Sequence, residues 1–331
     1  MASTSELGSK IDRSYSVTPP PPPTVIECFQ KKLPKLKCGN KNNYRGVGAS
    51  STTTNNANPP NVLICESCQA YKELADHALE SRRICRDSSG NLRVATNRHM
   101  ASEFKSLDLL SEEDVVSAFN LYMLAPMMEI LKVLYPEAMW RVSSECTDAR
   151  LKKGDSAKGK DNDKNKATAK EDLTGNLRYD MIFHQPAVNG EQGATIAIIE
   201  FKKPDQIRYG DFQEALMSAE ETKTSGGKMK KKKLKFEDNA LHGNADSYTK
   251  QVCKYASSRK CRHAALFNWD HLLIYDFFEL GNFRPIGTAG EEAKLVWVHE
   301  GAEIGQHAQI GLIRKAMLGW LLNAFKDHFG W

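Results

Sequence analysis

The sequence predicts an α/β protein with a mixed sheet flanked by helices, and three observations support this class. The chain has 331 residues, of which 40% are apolar, so it can bury a sizeable core. Its middle part changes from apolar residues at helical spacing to short runs with strand periodicity. A helical segment and two further strand runs follow, and such alternation is typical of a sheet covered by helices.

Two segments precede this pattern. Residues 1–60 contain consecutive prolines, Pro19 to Pro23, and a stretch rich in Ser, Thr and Asn, so they are predicted to form a disordered tail. Residues 61–104 are predicted to be a helical lead-in with a short helix at "CQAYKELADHALESRRI". Residues 105–331 then form the main domain.

The main domain is predicted to open with one helix and three strands. Ser111 followed by Asp114 is a helix N-cap signature, and Pro126 is expected to kink or divide the helix that follows. The strands are predicted at "WRVSSEC", "LRYDMIFH" and "ATIAIIEF". The third strand is apolar enough to be buried on both faces.

The second half of the domain is predicted to return to helices and then to strands. Helices are expected near "DFQEALMSAEE", at "ADSYTKQVCKYASS" and at the terminal "AQIGLIRKAMLGWLLNAFKDHF", with strands at "HAALFNW" and "HLLIYDFF" between the last two. Charged insertions at 150–172 and 223–238 interrupt this order. The second insertion is predicted to be a lysine-rich loop.

An acid and a base share one face at the end of the third strand. Side chains alternate along a strand, so Glu200 and Lys202 point the same way while Phe201 points to the other face. If the hairpin is symmetric about Gly190, Asp180 lies opposite Glu200, with Cβ atoms about 5 Å apart. Two carboxylates at that distance can hold one divalent cation, and Mg²⁺ prefers such oxygen ligands.

These residues resemble the motif of the PD-(D/E)xK nuclease superfamily, in which an acid is followed after a gap by E-x-K at the end of an apolar strand. The chain is also similar to nuclease-like proteins common in fungal genomes. The resemblance covers about residues 105–280 and implies a restriction-endonuclease-like core with the order α-β-β-β-α-β. It further implies hydrolysis of nucleic-acid phosphodiester bonds with Mg²⁺ or Mn²⁺.

The resemblance assigns roles to the residues of the motif. Asp180 and Glu200 would bind the metal ion, aided by the carbonyl oxygen of Phe201. Lys202 would orient the attacking water or stabilise the transition state, because a cation there offsets charge on the phosphoryl oxygens.

Two further helices would support this site. Gln251 and Tyr255 lie one helical turn apart in "QVCKY" and are similar to the Q-x-x-x-Y helix of the RecB-type branch of the superfamily. An acid from the first helix often joins the site in that superfamily. Glu112 and Glu113 both match its position, and spacing does not choose between them.

The lysine-rich insertion is a candidate nucleic-acid contact, with DNA favoured over RNA as the partner. Lys230, Lys231, Lys232 and Lys233 are consecutive in a chain whose formal net charge is +5. A nuclear import signal and a merely solvated loop are the alternatives. The sequence has neither a signal peptide pattern nor a long apolar run, so we expect a nuclear or cytoplasmic protein that is not secreted and has no membrane partner.

Several other interpretations stay open. Cys65, Cys68, His77 and Cys85 could form a zinc site, although the spacing of the second half is irregular. His184 lies on the Asp180 face of its strand and could reach the site. A catalytically inactive nuclease-like module that binds nucleic acid or a partner protein is the main alternative function. The sequence does not predict an oligomeric state.

Overall fold

A nine-stranded mixed sheet organises the molecule in the computed structural model, which describes residues 23–38, 58–85, 108–147, 178–187, 193–236, 240–277 and 292–330. The helices are α1 (Val25–Gln30), α2 (Gln69–Glu80), α3 (Arg82–Cys85), α4 (Glu112–Leu134), α5 (Tyr209–Phe212), α6 (Ser225–Phe236), α7 (Gly243–Ser258) and α8 (Ile313–Phe329). The strands are β1 (Lys37–Cys38), β2 (Val62–Cys65), β3 (Asp108–Leu109), β4 (Arg141–Thr147), β5 (Arg178–His184), β6 (Thr195–Phe201), β7 (Leu216–Ser218), β8 (His263–Phe267), β9 (His271–Asp276), β10 (Glu292–His299) and β11 (Gln309–Ile310).

The strands of the large sheet follow the order β4-β5-β6-β8-β9-β10-β2-β7, and β11 pairs with β10. β4, β5 and β6 form an antiparallel meander, and β8 then joins β6 in parallel. A parallel neighbour needs a crossover connection, and α7 lies within the connection from β6 to β8. The predicted mixed sheet flanked by helices is therefore confirmed.

Helices cover both faces of the sheet and enclose two hydrophobic cores. On one face α4 packs through Phe119, whose ring lies 4.9 Å from that of Phe201 and 5.5 Å from that of Phe267. On the other face, residues of α5, α6 and α7 share a core that includes Leu234 and Tyr255. The residues of β6 alternate between these two cores at its carboxyl end, which leaves Glu200 on the α7 face and Phe201 on the α4 face.

α4 begins where the sequence predicts, and its backbone geometry changes just before Pro126. Ser111 and Asp114 form a reciprocal capping box that satisfies backbone N–H groups at its start. Its middle, Asn120–Leu124, is a π-helical turn, and Pro126 follows immediately. The wider turn accommodates the proline, whose ring would otherwise clash with the preceding turn.

α4 is also the one helix in the described ranges that is long and apolar enough to cross a membrane by length and composition. Half of its most apolar window is buried inside the protein. Phe119 and Tyr122 contact rings of the β8–β9 hairpin, so the apolar residues of this helix also serve the core.

The described part of the predicted tail belongs to the folded domain. The sequence predicts disorder over residues 1–60, but α1 lies in this range and buries Val25, Cys28 and Phe29. Arg314 of α8 donates a hydrogen bond to the Cys28 carbonyl oxygen at 2.9 Å. A short apolar cluster between proline-rich neighbours thus supplies enough burial to order this segment. Residues 1–22 and 39–57 lie outside the described residues.

Three further segments differ from their prediction. The lead-in contributes β2, which lies between β10 and β7 in the sheet, so it is not purely helical. The prediction of a helix near "DFQEALMSAEE" is wrong, since α5 ends at Phe212 and strand β7 follows. Pairing of β7 with β2 outweighs the local helical pattern. The expected lysine loop is helix α6. The insertion at 150–172 lies outside the described residues.

Candidate active site

The candidate site lies beside the carboxyl end of β6, where β5 runs antiparallel to it. Met181 pairs with Ile199, as the predicted hairpin symmetry requires, and Asp180 is therefore the next residue opposite Glu200. Asp180 Oδ2 accepts a hydrogen bond from the Phe201 N–H at 2.8 Å. A register shift occurs further along the hairpin, toward its loop, so the pairing at the site keeps its predicted register.

Glu200 is the most buried acid of the site, with 1% of its surface exposed. Its Oε1 accepts hydrogen bonds from Lys202 Nζ at 2.6 Å and from Gln251 Nε2 at 2.5 Å. Its Oε2 is buried and has no hydrogen-bond partner among the described residues. Burial raises the pKa of Glu200 well above its usual range, Asp180 raises it further, and Lys202 opposes both.

Lys202 is held among three groups. Its Nζ lies 2.6 Å from Glu200 Oε1, 3.6 Å from Glu112 Oε2 and 5.3 Å from the centre of the Tyr248 ring. Burial alone lowers the pKa of this ammonium, but Glu200, Glu112 and Asp180 outweigh it and raise the pKa above its ordinary value. Lys202 is therefore a fixed positive charge at neutral pH, not a proton acceptor.

The structure chooses between the two acids at the start of α4. Glu112 reaches Lys202, and its side chain is 41% exposed. Burial raises the pKa of Glu112, Lys202 lowers it, and Asp180 raises it again, which places all three groups in one electrostatic cluster. Glu113 is exposed, and its charge acts on Glu112 from the same helical turn. Glu112 is thus the acid that joins the site.

A polar stripe of α7 covers the acid and the lysine. Gln251 Nε2 donates to Glu200 Oε1 and also to the Tyr255 hydroxyl at 2.8 Å. Tyr255 is buried, and burial, followed by the charge of Glu200, raises its pKa, so its hydroxyl stays protonated. The ring of Tyr248 lies against the Lys202 ammonium. α7 therefore contacts both members of the pair, Glu200 through Gln251 and Lys202 through Tyr248.

The loop after Lys202 is anchored by the same helix. Asp205 has a left-handed backbone with φ of 64°, a conformation that Asp tolerates better than most residues. Buried Asn244 donates from Nδ2 to the Gln206 carbonyl oxygen at 3.3 Å and to its Oε1 at 3.2 Å. The sequence interpretation missed Asn244 and Tyr248. Their helical spacing from Gln251 was the available signal.

The site offers a small number of oxygen atoms that a divalent cation could use. Glu200 offers the buried Oε2, and Asp180 uses only Oδ2 for the Phe201 N–H. In an antiparallel ladder the N–H and C=O of one residue face the same neighbour, so the Phe201 carbonyl also faces β5. Mg²⁺ keeps several waters and needs only one or two carboxylates. Within the described ranges, no group of three or more His, Cys, Asp or Glu is arranged to hold a metal ion.

Two further predictions concern His184 and a zinc site. His184 is occupied, because its Nε2 lies 2.8 Å from Ser143 Oγ and its Nδ1 lies 2.8 Å from the Gln185 carbonyl oxygen. The proposed zinc ligands lie in the described part of the chain, where no metal-binding cluster of three is found. These residues are Cys65, Cys68, His77 and Cys85, and the three cysteines are free thiols.

The lysines proposed to contact nucleic acid lie on α6, away from the acids. Lys230 Nζ donates to the Leu216 carbonyl oxygen at 3.1 Å, and Lys231 Nζ lies 2.5 Å from Glu292 Oε2. Lys232 and Lys233 are exposed. The four consecutive lysines therefore divide into two that contact the protein's own sheet and two that face outward.

Known proteins give no further guide to this chain. A scan against protein families, a search of curated proteins and a search of solved structures each found no match.

Proposed function

We propose that this protein is a divalent-cation-dependent nuclease of the PD-(D/E)xK type, with a restriction-endonuclease-like core. The supporting observation is that Asp180, Glu200 and Lys202 converge at one end of the sheet while Glu200 Oε2 is buried without a partner. If α5, β7 and α6, which lie between β6 and α7, are counted as an insertion, the remaining order α4, β4, β5, β6, α7 and β8, with β8 parallel to β6, supports the proposed core. We infer Mg²⁺ or Mn²⁺ as the cation and nucleic acid, DNA before RNA, as the substrate.

In this proposal the chain's own residues position the reacting groups. Asp180 and Glu200, with the Phe201 carbonyl, would hold the cation, which when bound supplies charge neutralisation and a more acidic water. Lys202 stays protonated and stabilises negative charge as it develops on the phosphoryl group. Gln251 fixes the rotamer of Glu200, and Tyr255 fixes Gln251. Burial of the pair excludes water and strengthens each of these interactions.

Glu112 has the exposure that a proton carrier needs. Its carboxylate is partly open to solvent and lies 3.6 Å from the Lys202 ammonium. Its raised pKa brings it closer to neutral pH than that of an ordinary glutamate. We infer that Glu112 exchanges protons with solvent at the site, while Glu200, which is closed off, does not.

A cleavage assay tests the proposed function. Single-stranded and double-stranded DNA and RNA are incubated with Mg²⁺, Mn²⁺ or EDTA, using the intact chain beside Asp180→Asn and Lys202→Ala. We expect cleavage that needs the cation and falls at least about 100-fold in both variants, as for loss of a transition-state contact. Glu113→Gln is the matched control, because Glu113 is exposed and influences Glu112 only through its charge, and it should stay active. Cleavage that persists in EDTA or in both site variants would refute the proposal.

An inactive binding module is the second candidate, and one observation favours it. Lys202 already pairs with both Glu200 and Glu112, so its ammonium occupies Glu200 Oε1, the place where a bound cation would otherwise supply positive charge. In such a module the network would only hold the sheet and α7 together. Tight binding of nucleic acid or of a partner protein, without cleavage and without affinity for Mn²⁺, would support this alternative.

A further inference from the structure

Helix α6 has one face bound to the protein and one face open to solvent. The inner face consists of Gly227, Lys230, Lys231 and Leu234, which recur at the spacing of a single helical stripe. Leu234 is buried in the core on the α7 side. A Cβ on Gly227 would lie 1.3 Å from the Glu221 carbonyl oxygen, so only glycine permits this approach. These contacts fix the orientation of the helix.

The outer face of α6 is strongly basic, because the inner-face contacts orient the helix so that its other lysines are exposed to solvent. Lys228, Lys232 and Lys233 are exposed, and Met229 between them is 75% exposed. Helix α6 contains no acidic residue. Lys228 and Lys232 are four residues apart, where like charges on a helix repel each other. A polyanion that binds along this face relieves the repulsion, whereas a neutral partner does not.

The outer face lies far from the candidate active site but on the same side of the sheet. Glu200 pairs with Leu266 on β8, which pairs with Leu273 on β9. Leu273 in turn pairs with Trp297 on β10, so Trp297 lies three strands away from Glu200. Glu292, the partner of Lys231, lies five residues before Trp297 on that strand. At standard strand dimensions Glu200 and Glu292, the inner anchor of α6, are about 14 Å apart across the sheet and about 17 Å along it, or about 22 Å in all.

We propose that the outer face of α6, through Lys228 and Lys232, binds the phosphate backbone of a nucleic acid, on a helix whose inner anchor Glu292 lies about 22 Å from Glu200. This inference rests on the proposed function for the identity of the polyanion. At a rise of about 3.4 Å per base pair, the separation corresponds to six or seven base pairs of duplex. The surface therefore selects substrates long enough to reach both places and contributes affinity without touching the scissile bond. It also corrects the expected contact set, since Lys230 and Lys231 face inward.

The salt dependence of binding tests this surface independently of cleavage. Affinity for a labelled DNA duplex of about 30 base pairs is measured in EDTA over a range of salt concentrations, for the intact chain and for Lys228→Gln/Lys232→Gln. Each phosphate contact contributes about 0.9 to the slope of log affinity against log salt, so the slope should become shallower by about 2. Lys35→Gln/Lys326→Gln removes the same charge from exposed lysines elsewhere and should leave the slope unchanged.

Several outcomes would overturn the proposal. These are no DNA binding by the intact chain, equal slopes for all three proteins, or an equal loss in the control variant, which would mean that only net charge matters. If Lys228→Gln/Lys232→Gln loses binding to anionic phospholipid vesicles while its DNA binding is unaffected, the outer face instead binds a membrane surface. Cleavage by the same preparations with Mg²⁺ separates the two proposals. Cleavage with an unchanged slope refutes only the surface, and an altered slope without cleavage refutes only the nuclease.

Discussion

At the residue scale, the site depends on how a buried acid and a buried lysine neutralise each other. Glu200 and Lys202 are 1% and 6% exposed, so each would be costly to bury as a lone charge. Their contact at 2.6 Å offsets part of that cost. A cation bound by Glu200 would compete with Lys202 for the same carboxylate. The ring of Tyr248 is a partner for Lys202 that a cation does not compete for.

Substitution of Tyr248 tests this contact. Tyr248→Leu should lower kcat for cleavage by about 2-fold to 30-fold with little change in KM, because a cation–π contact contributes about 0.5 to 2 kcal/mol. Tyr248→Phe keeps the ring face and should retain most of the activity. Steady-state kinetics check this, with thermal unfolding as the control for folding. Equal losses in both variants would instead assign the role to the hydroxyl group.

The sequence predicts this site in part, and the reason differs from residue to residue. Strand alternation and hairpin symmetry are enough to place Asp180 against Glu200, because both follow from backbone geometry. They do not separate Glu112 from Glu113, since both occupy the first turn of α4 and only the packing of that helix decides which one reaches Lys202. Tyr248 was missed because an aromatic residue on a helix face usually belongs to the core.

At the element scale, the β8–β9 turn holds α4 in position. Trp269 in this turn has φ of 81°, a left-handed conformation that is costly for a bulky residue. Its indole N–H donates to the Pro34 carbonyl oxygen at 3.1 Å, and its ring lies 5.8 Å from Tyr122 of α4. The N-terminal segment and α4 thus meet at one strained residue, and Glu112 stands at the start of that helix.

Two substitutions separate the strain of Trp269 from its packing. Trp269→Ala should lower the free energy of unfolding by about 3 to 5 kcal/mol, since it removes the packed indole and keeps a Cβ at positive φ. Trp269→Gly loses the same packing but relieves the strain, so it should be more stable than the alanine variant by up to about 1 kcal/mol. Urea unfolding measures both. An alanine variant as stable as the glycine variant would show that the backbone is unstrained.

Elements with a strong local pattern were predicted better than those that depend on pairing. β5, β6, α7 and α8 match their periodicity, since their apolar residues face a core on the expected sides. β7 has only three residues and owes its conformation to β2, which comes from the distant lead-in. α6 was expected to be a loop because lysine runs are usually solvated, although lysine is itself a good helix former.

At the scale of the whole molecule, buried histidines make stability depend on pH. His271 and His299 are direct neighbours on β9 and β10, with ring centres 6.2 Å apart. Burial and the neighbouring His299 lower the pKa of His271 to about 4, and burial lowers the pKa of His299, which Glu303 partly opposes. Both ring nitrogens of His299 are buried without a partner in the described structure. Protonation of either ring is therefore unfavourable in the folded state.

The sign of the effect follows from these lowered pKa values. A histidine has a pKa of about 6.5 when unfolded, so the unfolded chain binds protons first as the pH falls. The contribution of neutral His271 to the free energy of unfolding should be fully present above about pH 6.5 and should fall by up to about 3 kcal/mol toward pH 4. Unfolding measured at several pH values should show a smaller fall in His271→Asn. The raised pKa of Glu200 acts in the opposite direction, but its effect is the same in the intact chain and in His271→Asn. An equal fall in stability in these two proteins would therefore refute the role of His271.

Cation binding at Asp180 and Glu200 distinguishes a nuclease from a binding module more directly than any other property. Equilibrium titration with Mn²⁺, followed by the paramagnetic signal of the free ion, compares the intact chain with Glu200→Gln and Lys202→Met. We expect one ion bound by the intact chain and none by Glu200→Gln. At a pH high enough to ionise Glu200, Lys202→Met should bind the ion more tightly than the intact chain, because removal of the ammonium frees Glu200 Oε1 and removes its repulsion of the ion. If Mn²⁺ does not bind to the intact chain, or binds equally to all three proteins, the carboxylates are not a metal site and the proposed nuclease is wrong.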